Sequence, residues 1–398
     1  MKAAFLYGAD AVYLASQKFG MRAAAQNFTD KELARAIEYA HALNKKVYVA
    51  INVMPRGYEY RELRAYLRSL KKCPPDAVIV ADIGVFYEVR EILGDAVDIH
   101  ISTQQSLCSA AACTAWYRLG AKRVVLAREL TLDEVMEIRR GTPKKLELEA
   151  FIHGSMCVSY SGRCLLSNHY TKRDANRGMC AQPCRWDYKP KSLDFAEIKR
   201  PDDVLGAEED CRGTYIMSSK DMCMIEHIPA LMRSGIDSFK IEGRMKSAYY
   251  ASVVTNAYRM AIDKYCEAGE DGYEYDPRWL CELESVSHRE YSTGYWFDDA
   301  MENAQLCENP GYIREKAYIA TAVAYDAVKG AACFMQKNKV SSGEDVELIS
   351  PGKCGRRFSI GQIYSNDGEP IDSAPHPSML FWAKVPFEVK AGDIIRGV

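Results

Sequence analysis

Two rhythms of apolar and polar positions divide this chain. From the N-terminus to about residue 265, short β-rich runs alternate with amphipathic helical stretches. The runs "ADAVYLA" (9–15), "KKVYVAIN" (45–52), "DAVIVAD" (76–82), "VDIHIST" (97–103), "RVVLARE" (123–129), "LELEAFIHG" (146–154), "TYIMSSK" (214–220) and "DSFKIEGR" (237–244) read as strands, being rich in β-branched and aromatic residues and bounded by turn formers. Between them, segments such as "TDKELARAIEYAHAL" and "MIEHIPALMRSG" carry apolar residues at helical spacing. Strands alternating with helices predict parallel βαβ units, and recurrence this regular predicts a TIM-type βα barrel. The chain opens on a helix and then a strand. Either the first barrel strand is absent from this chain, or "TYIMSSK" is one of the eight.

The alternation breaks twice. Residues 155–212 form a long insertion after the sixth candidate strand, too long for a structureless loop unless something staples it. After a last helix, "SAYYASVVTNAYRMAIDKYCEAG", the chain becomes tyrosine-rich over 272–315. Then "KAYIATAVAYD", "AACFMQKN", "DVELISP", "RRFSIGQIYS", "MLFWAKVPF" and "GDIIRGV" alternate apolar and polar residues between turns, the pattern of a small all-β barrel. The expected organisation is a βα-barrel domain over 1–265 with a cysteine-rich insertion at about 155–212, a linking region over 266–315, and the β domain over 316–398.

Composition changes this picture little. Apolar residues at 48% and charged residues at 27% are those of an ordinary globular protein, and no run is long and apolar enough to predict a membrane helix. The N-terminus lacks the layout of a signal peptide, so a cytoplasmic location is expected. The net charge of −2 offers no global attraction to nucleic acid. Locally, Arg163, Lys172, Arg173, Arg177, Arg185, Lys189 and Lys191 face only Asp174 and Asp187; such a segment suits a solvated face or contacts to phosphates. Of the fourteen cysteines, ten are scattered and read mostly as small buried apolar residues.

The candidate chemistry gathers in two places. Polar residues mark the C-terminal ends of the strands: Asn52, Asp82, Ser102, Gln104, Arg128, Glu129, His153, and then Lys240, Glu242 and Arg244, whose alternation predicts side chains pointing one way. In a barrel this rim holds the active site. The other place is the insertion, where Cys157, Cys164, Cys180 and Cys184 are separated by six, fifteen and three residues. Their neighbours are glycines and polar residues, which argues against packing, and a chain without a secretion signal argues against disulfides. Structural zinc favours paired short spacings, present only at Cys180–Cys184. A nucleophile would need one thiol, not four. An iron–sulfur cluster suits four thiolates from irregular loops and would staple the insertion; Cys211 is a substitute ligand.

The stretches "EAFIHGSMCVSYSGRCLLS", "TKRDANRGMCAQPCRWDY" and "DSFKIEGRMKS" resemble the motifs of the collagenase-like peptidase family of unknown catalytic type, over essentially the whole chain. The branch it is most similar to makes 5-hydroxyuridine at the wobble position of tRNA, dependent on prephenate and independent of oxygen. The resemblance implies a 4Fe-4S cluster on Cys157, Cys164, Cys180 and Cys184, tRNA as partner, and prephenate, a dicarboxylate, as co-substrate. It also implies an N-terminal strand that this chain does not contain. Arg22, Arg128 and Arg244 are then candidates for the carboxylates, Arg173 and Arg177 for RNA phosphates, and His153, Lys240 and Glu242 for catalysis. The family's name keeps a peptidase as the alternative, although no Gly-x-Ser-x-Gly elbow or His-Glu-x-x-His pair occurs. An RNA-binding protein with a structural cluster is the third reading.

Overall fold

The structure, a computed structural model, describes residues 1–20, 27–157, 159–160, 164–173, 179–185, 195–197, 200–205, 208–210, 213–215, 219–297, 313 and 316–398. They form two compact units, one of residues Ala11–Met245 and Arg289–Tyr312, the other of Met1–Asp10, Lys246–His288 and Ile313–Val398.

The first unit is built on a mostly parallel sheet. Strands β1 (Ala11–Leu14), β2 (Lys46–Ile51), β3 (Ala77–Val80), β4 (Asp98–Ile101), β5 (Arg123–Val125) and β6 (Glu147–Ser155) pair in sequence order, each neighbour parallel. All four residues of β3 are buried, the continuous apolar run expected of a strand covered on both faces. The covering helices are locally encoded. Thr29 and Glu32 close a capping box on the helix Asp30–Ala42, and Thr131 and Glu134 do the same for Leu132–Gly141. In Tyr60–Leu70 the buried set is Leu63, Tyr66, Leu67 and Leu70, one face at helical spacing.

The insertion contributes two small antiparallel ladders, β7 (Phe195–Glu197) with β8 (Arg200–Leu205), and β9 (Glu208–Asp210) with β10 (Gly213–Tyr215). The first two residues of "TYIMSSK", Thr214 and Tyr215, therefore pair with an adjacent segment and not with the main sheet, and residues 216–218 lie outside the described residues. Local pairing across a two-residue connection wins over a distant one. The chain returns through β11 (Asp221–Cys223), antiparallel to the end of β6, then β12 (Ser238–Ile241), parallel to β6, and β13 (Tyr291–Ser292), parallel to β11. The sheet curls strongly: Lys240 Nζ of β12 lies 4.6 Å from the centre of the Tyr13 ring of β1. Among the described residues the strands form one curled, mostly parallel sheet, and no ladder joins β1 to β12.

The second unit is an antiparallel half-barrel with helices. Its strands are β14 (Tyr318–Asp326), β15 (Ala331–Gln336), β16 (Val340–Ser341), β17 (Asp345–Ile349), β18 (Arg356–Ser359), β19 (Ile363–Ser365), β20 (Pro370–Ile371), β21 (Ser373–Ala374), β22 (Leu380–Lys384) and β23 (Ile394–Gly397). Eight of them run β18-β17-β23-β14-β15-β22-β19-β20, and β16 pairs β21. Alternate residues, including Ile319, Phe334, Val346, Leu348, Ile363, Phe381 and Ile395, fill the core.

This unit takes in the helices Lys2–Leu6, Ala248–Gly272 and Arg278–Glu284, so its boundary falls well before residue 265. Side chains explain why. The Tyr7 hydroxyl donates to the carbonyls of Ile349 and Gly392. Asn256 donates to the carbonyls of Ser350 and Lys353 and accepts from the Gly352 amide. Arg396 of β23 is buried against Glu282, Glu347 and Ser285, and the Tyr249 and Tyr318 rings stack at 5.2 Å. Among the described residues no helix is long and apolar enough to cross a membrane. Replacing Asn256 with Ala strands buried backbone groups, and we expect a loss of about 1–3 kcal/mol, read as a lower urea midpoint.

Candidate functional site

Strand β6 sends alternate residues to the inner face of the sheet, and these form a column of Glu147, Glu149, Phe151 and His153. Its base is an ionic layer. Arg123 donates through Nε and Nη2 to Glu147 Oε2 at 2.8 and 2.6 Å, and through Nη1 to Glu149 Oε2 at 2.8 Å. Lys240 Nζ donates to Glu149 Oε1 at 2.6 Å, and Ser238 Oγ donates to Oε2 at 3.0 Å. Burial by itself would raise the Glu149 carboxyl, but Lys240, Arg123 and their hydrogen bonds bring it down to about 2. His100 sits beside this layer, edge-on to Tyr48; burial and then Arg123 lower it to about 3, so it is neutral near pH 7.

Above the ions lies Phe151, with Lys240 Nζ 5.4 Å from its ring centre and the Arg128 guanidinium at 4.0 Å. His153 is buried and packs its ring against Tyr291 at 5.4 Å. The next residue is Gly154 for a physical reason. Its φ is +112°, and a Cβ there would stand 2.5 Å from the Glu242 carbonyl oxygen. The His-Gly pair thus brings the backbones following β6 and β12 together, where the Glu242 amide donates to the His153 carbonyl at 2.9 Å.

Lys240, Glu242 and Arg244 do not point one way. The β6–β12 register shifts between Lys240 and Ile241, and a bulge breaks the alternation on which that expectation rested. Lys240 turns inward to Glu149, whereas Arg244 Nη2 donates to Asn27 Oδ1 at 2.9 Å and its amide to Glu242 Oε1. The other strand-end residues make local bonds. Asn52 Nδ2 donates to Gln104 Oε1 at 2.6 Å, Ser102 Oγ donates to the same oxygen, and Asp82 caps the helix Ile83–Leu93 and accepts from the Tyr60 hydroxyl.

A second buried pair ties down the base of the insertion. Arg289 donates through Nε and Nη2 to Asp221 Oδ1 at 3.0 and 2.6 Å, with both side chains 1% exposed. Its Nη1 donates to Ser219 Oγ, which donates to the Met156 carbonyl at 2.9 Å. Met156 immediately precedes Cys157. Beyond it, Cys157 is exposed, while Cys164, Cys180 and Cys184 are half-buried. Ser167 Oγ accepts from the Ala181 amide and so links the helix Leu166–Thr171 to the residue after Cys180. As a donor set, four cysteine sulfurs suit a thiophilic metal centre. As an arrangement they are not gathered: among the described residues no three His, Cys, Asp or Glu side chains come together as a metal site.

Arg173 and Lys172 are exposed; Arg22, Arg177 and Cys211 lie outside the described residues. Of the scattered cysteines, Cys113, Cys223 and Cys333 are buried and Cys73 and Cys354 half-buried, but Cys108, Cys266 and Cys281 are exposed and so depart from the expected packing role. Sequence reasoning missed Arg123, Glu149, Asp221, Arg289 and Tyr291. Glu149 carried a signal, since a glutamate at an inward position of "LELEAF" demands a buried partner. Arg289 and Tyr291 carried none, standing in what reads as a linker.

A curled parallel sheet with an ionic interior, a cysteine-bearing excursion and an appended antiparallel domain define a two-part α/β protein. Residues 1–306 match the model of peptidase family U32 and residues 314–396 that of the peptidase family U32 C-terminal domain, and the chain belongs to this family. A relative from Bacillus subtilis (strain 168), "tRNA hydroxylation protein P1", is 36% identical over 100% of this chain and 92% of its own length. The "tRNA hydroxylation protein P" of Escherichia coli (strain K12) is 33% identical over 98% and 92%. A protein of Porphyromonas gingivalis named "Collagenase" is 32% identical over 88% and 84%.

The ionic layer has a testable pH signature. The folded-state value of Glu149 lies below the ordinary carboxylate range, so its stabilisation is present above about pH 4 and is lost as the pH falls toward about 2. Replacing Glu149 with Gln leaves Lys240 and Arg123 under-compensated, at an expected cost of about 3–5 kcal/mol near pH 7. In urea unfolding, the gap between wild type and variant should narrow as the pH is lowered through that window.

Proposed function

We propose that the chain is a tRNA-modifying enzyme that hydroxylates wobble uridine to 5-hydroxyuridine without oxygen, in the cytoplasm. The observation that carries this is the full-length match to a relative named for tRNA hydroxylation. In this reading Cys157, Cys164, Cys180 and Cys184 hold a 4Fe-4S cluster, with Cys211 as the alternative fourth ligand; four sulfur donors in one segment support it in kind. Bound there, a cluster supplies redox chemistry that side chains lack. The chain's own residues do the rest. The Asp221–Arg289–Ser219 tie holds the start of the cysteine segment beside His153, which with Glu242 stands at the strand ends as a candidate for proton handling. Lys240, salt-bridged to Glu149, acts by positioning. Exposed Arg173, with Arg177, meets RNA phosphates, and Arg22, Arg128 and Arg244 are the candidates for prephenate. The same reading treats the curled sheet as a TIM-type barrel, supported by Lys240 of β12 lying over Tyr13 of β1.

The peptidase reading draws on the collagenase-named relative, and as a cysteine peptidase it would need an activated thiol. Burial instead pushes the Cys113 thiol up to about 12 and Cys354 up to about 11, and raises Cys73, Cys108 and Cys333 as well, the reverse of activation.

Purified without oxygen, the protein should contain roughly four irons per chain with matching sulfide. Replacing Cys157, Cys164 or Cys180 with Ala should remove the iron. In cells lacking the gene, mass spectrometry of tRNA nucleosides should show no 5-hydroxyuridine, restored by wild type and not by these variants. A colourless, iron-free protein, or 5-hydroxyuridine persisting in the deleted strain, would overturn the proposal.

A further inference from the structure

Half-buried Arg128 stands apart from the buried arginines. Arg123, Arg289 and Arg396 each donate to at least one carboxylate. Arg128 makes one hydrogen bond, from Nη1 to the Ser155 carbonyl at 2.9 Å, and otherwise lies flat against hydrocarbon, its guanidinium carbon 4.0 Å from the centre of the Phe151 ring. Its Nε is buried and has no hydrogen-bond partner, and no carboxylate pairs with it among the described residues. Arg356 shares the stacked pose, over Phe387 at 4.1 Å, but its charge is felt by the Asp393 carboxylate and so is answered within the protein. A half-buried cation with one buried, unused donor costs free energy, and an anionic group meeting the guanidinium would recover it.

We propose that Arg128 is the receptor for the carboxylate of a small organic acid bound at the C-terminal edge of the sheet. This rests on the functional reading above and selects one arginine from the three considered there. The other charges on this face are spent. Lys240 and Arg123 are neutralised by Glu149 and Glu147, and Arg244 already donates to Asn27. Of these described cations Arg128 is left without a carboxylate or side-chain acceptor, held by Phe151 and the Ser155 carbonyl. A planar guanidinium fork suits a carboxylate, offered here through Nη2, the nitrogen that is neither bonded nor among the buried unsatisfied atoms. It also stands at the carboxyl ends of parallel strands, where α/β sheets place their ligands. A phosphate, carrying more charge and three free oxygens, would call for further cations.

The test is calorimetric titration of the full chain with prephenate, phenylpyruvate, malonate and inorganic phosphate, for wild type, R128Q and R128K, with tRNA affinity measured alongside by filter binding. Wild type should bind at least one of the carboxylates. R128Q should weaken that binding by about 10- to 100-fold, and R128K should also bind more weakly because it keeps the charge but loses the fork. Both variants should keep wild-type tRNA affinity and melting temperature. If R128Q does not fold, R128K alone decides. Wild-type affinity in either folded variant, failure of wild type to bind any of the three acids, or tighter binding of phosphate together with weakened tRNA binding in R128Q would overturn the assignment. Binding of malonate or phenylpyruvate but not prephenate, abolished in R128Q, would leave the receptor standing and remove prephenate from the functional reading. Prephenate binding equally to wild type and R128Q would do the opposite.

Discussion

Burying Glu149 among Arg123 and Lys240 is the constraint on which the rest of the first unit depends. Two cations and two carboxylates cross-link β5, β6 and β12 inside the curled sheet, where each ion alone would carry a desolvation cost of several kcal/mol. The pairs must therefore form together or not at all, which makes the position of β12 on β6 specific as well as stable. The register shift after Lys240 follows from the same demand. Lys240 reaches down to Glu149, and the chain slips by one position so that Ile241, Glu242 and Arg244 can leave the strand on other terms. What the rim displays is then the remainder: His153 against Tyr291, and Arg128 over Phe151.

The cysteine segment is governed by a second buried pair of the same kind. Strand β11 returns from the insertion directly onto the end of β6, with Asp221 opposite Ser155 and Cys223 opposite His153. The Asp221–Arg289 pair and Ser219 then fasten the residue preceding Cys157. Both ends of the insertion are thus fixed in a rigid sheet while the thiols stand outside it, exposed or half-buried. A ligand binding those thiols would tie its own binding to the folding of the insertion, the usual coupling between metal binding and folding.

In the second unit, too, buried ions decide a boundary. Arg396 of β23, paired with Glu282 and Glu347, welds the helix Arg278–Glu284 to the half-barrel, and Asn256 supplies hydrogen bonds to the turn after β17. Tyrosines of the helix Ala248–Gly272, Tyr249, Tyr250 and Tyr258 among them, are buried. Their rings supply apolar area that short antiparallel strands cannot provide alone.

The amino-acid sequence by itself determined what depends on neighbours along the chain. Six parallel strands, the capped helices, the alternating strands of the C-terminal half-barrel and the four grouped cysteines are all legible there, because periodicity, capping and sequence spacing are local properties. Whatever depends on a distant partner was decided by the tertiary structure. Lys240 reads as a rim residue until Glu149 claims it, Arg289 reads as linker until Asp221 buries it, and the helix Ala248–Gly272 reads as the end of one domain until Asn256 assigns it to another. The cost of burying a charge or a backbone carbonyl is settled only by the group that meets it, and these groups lie 68 to 97 residues away.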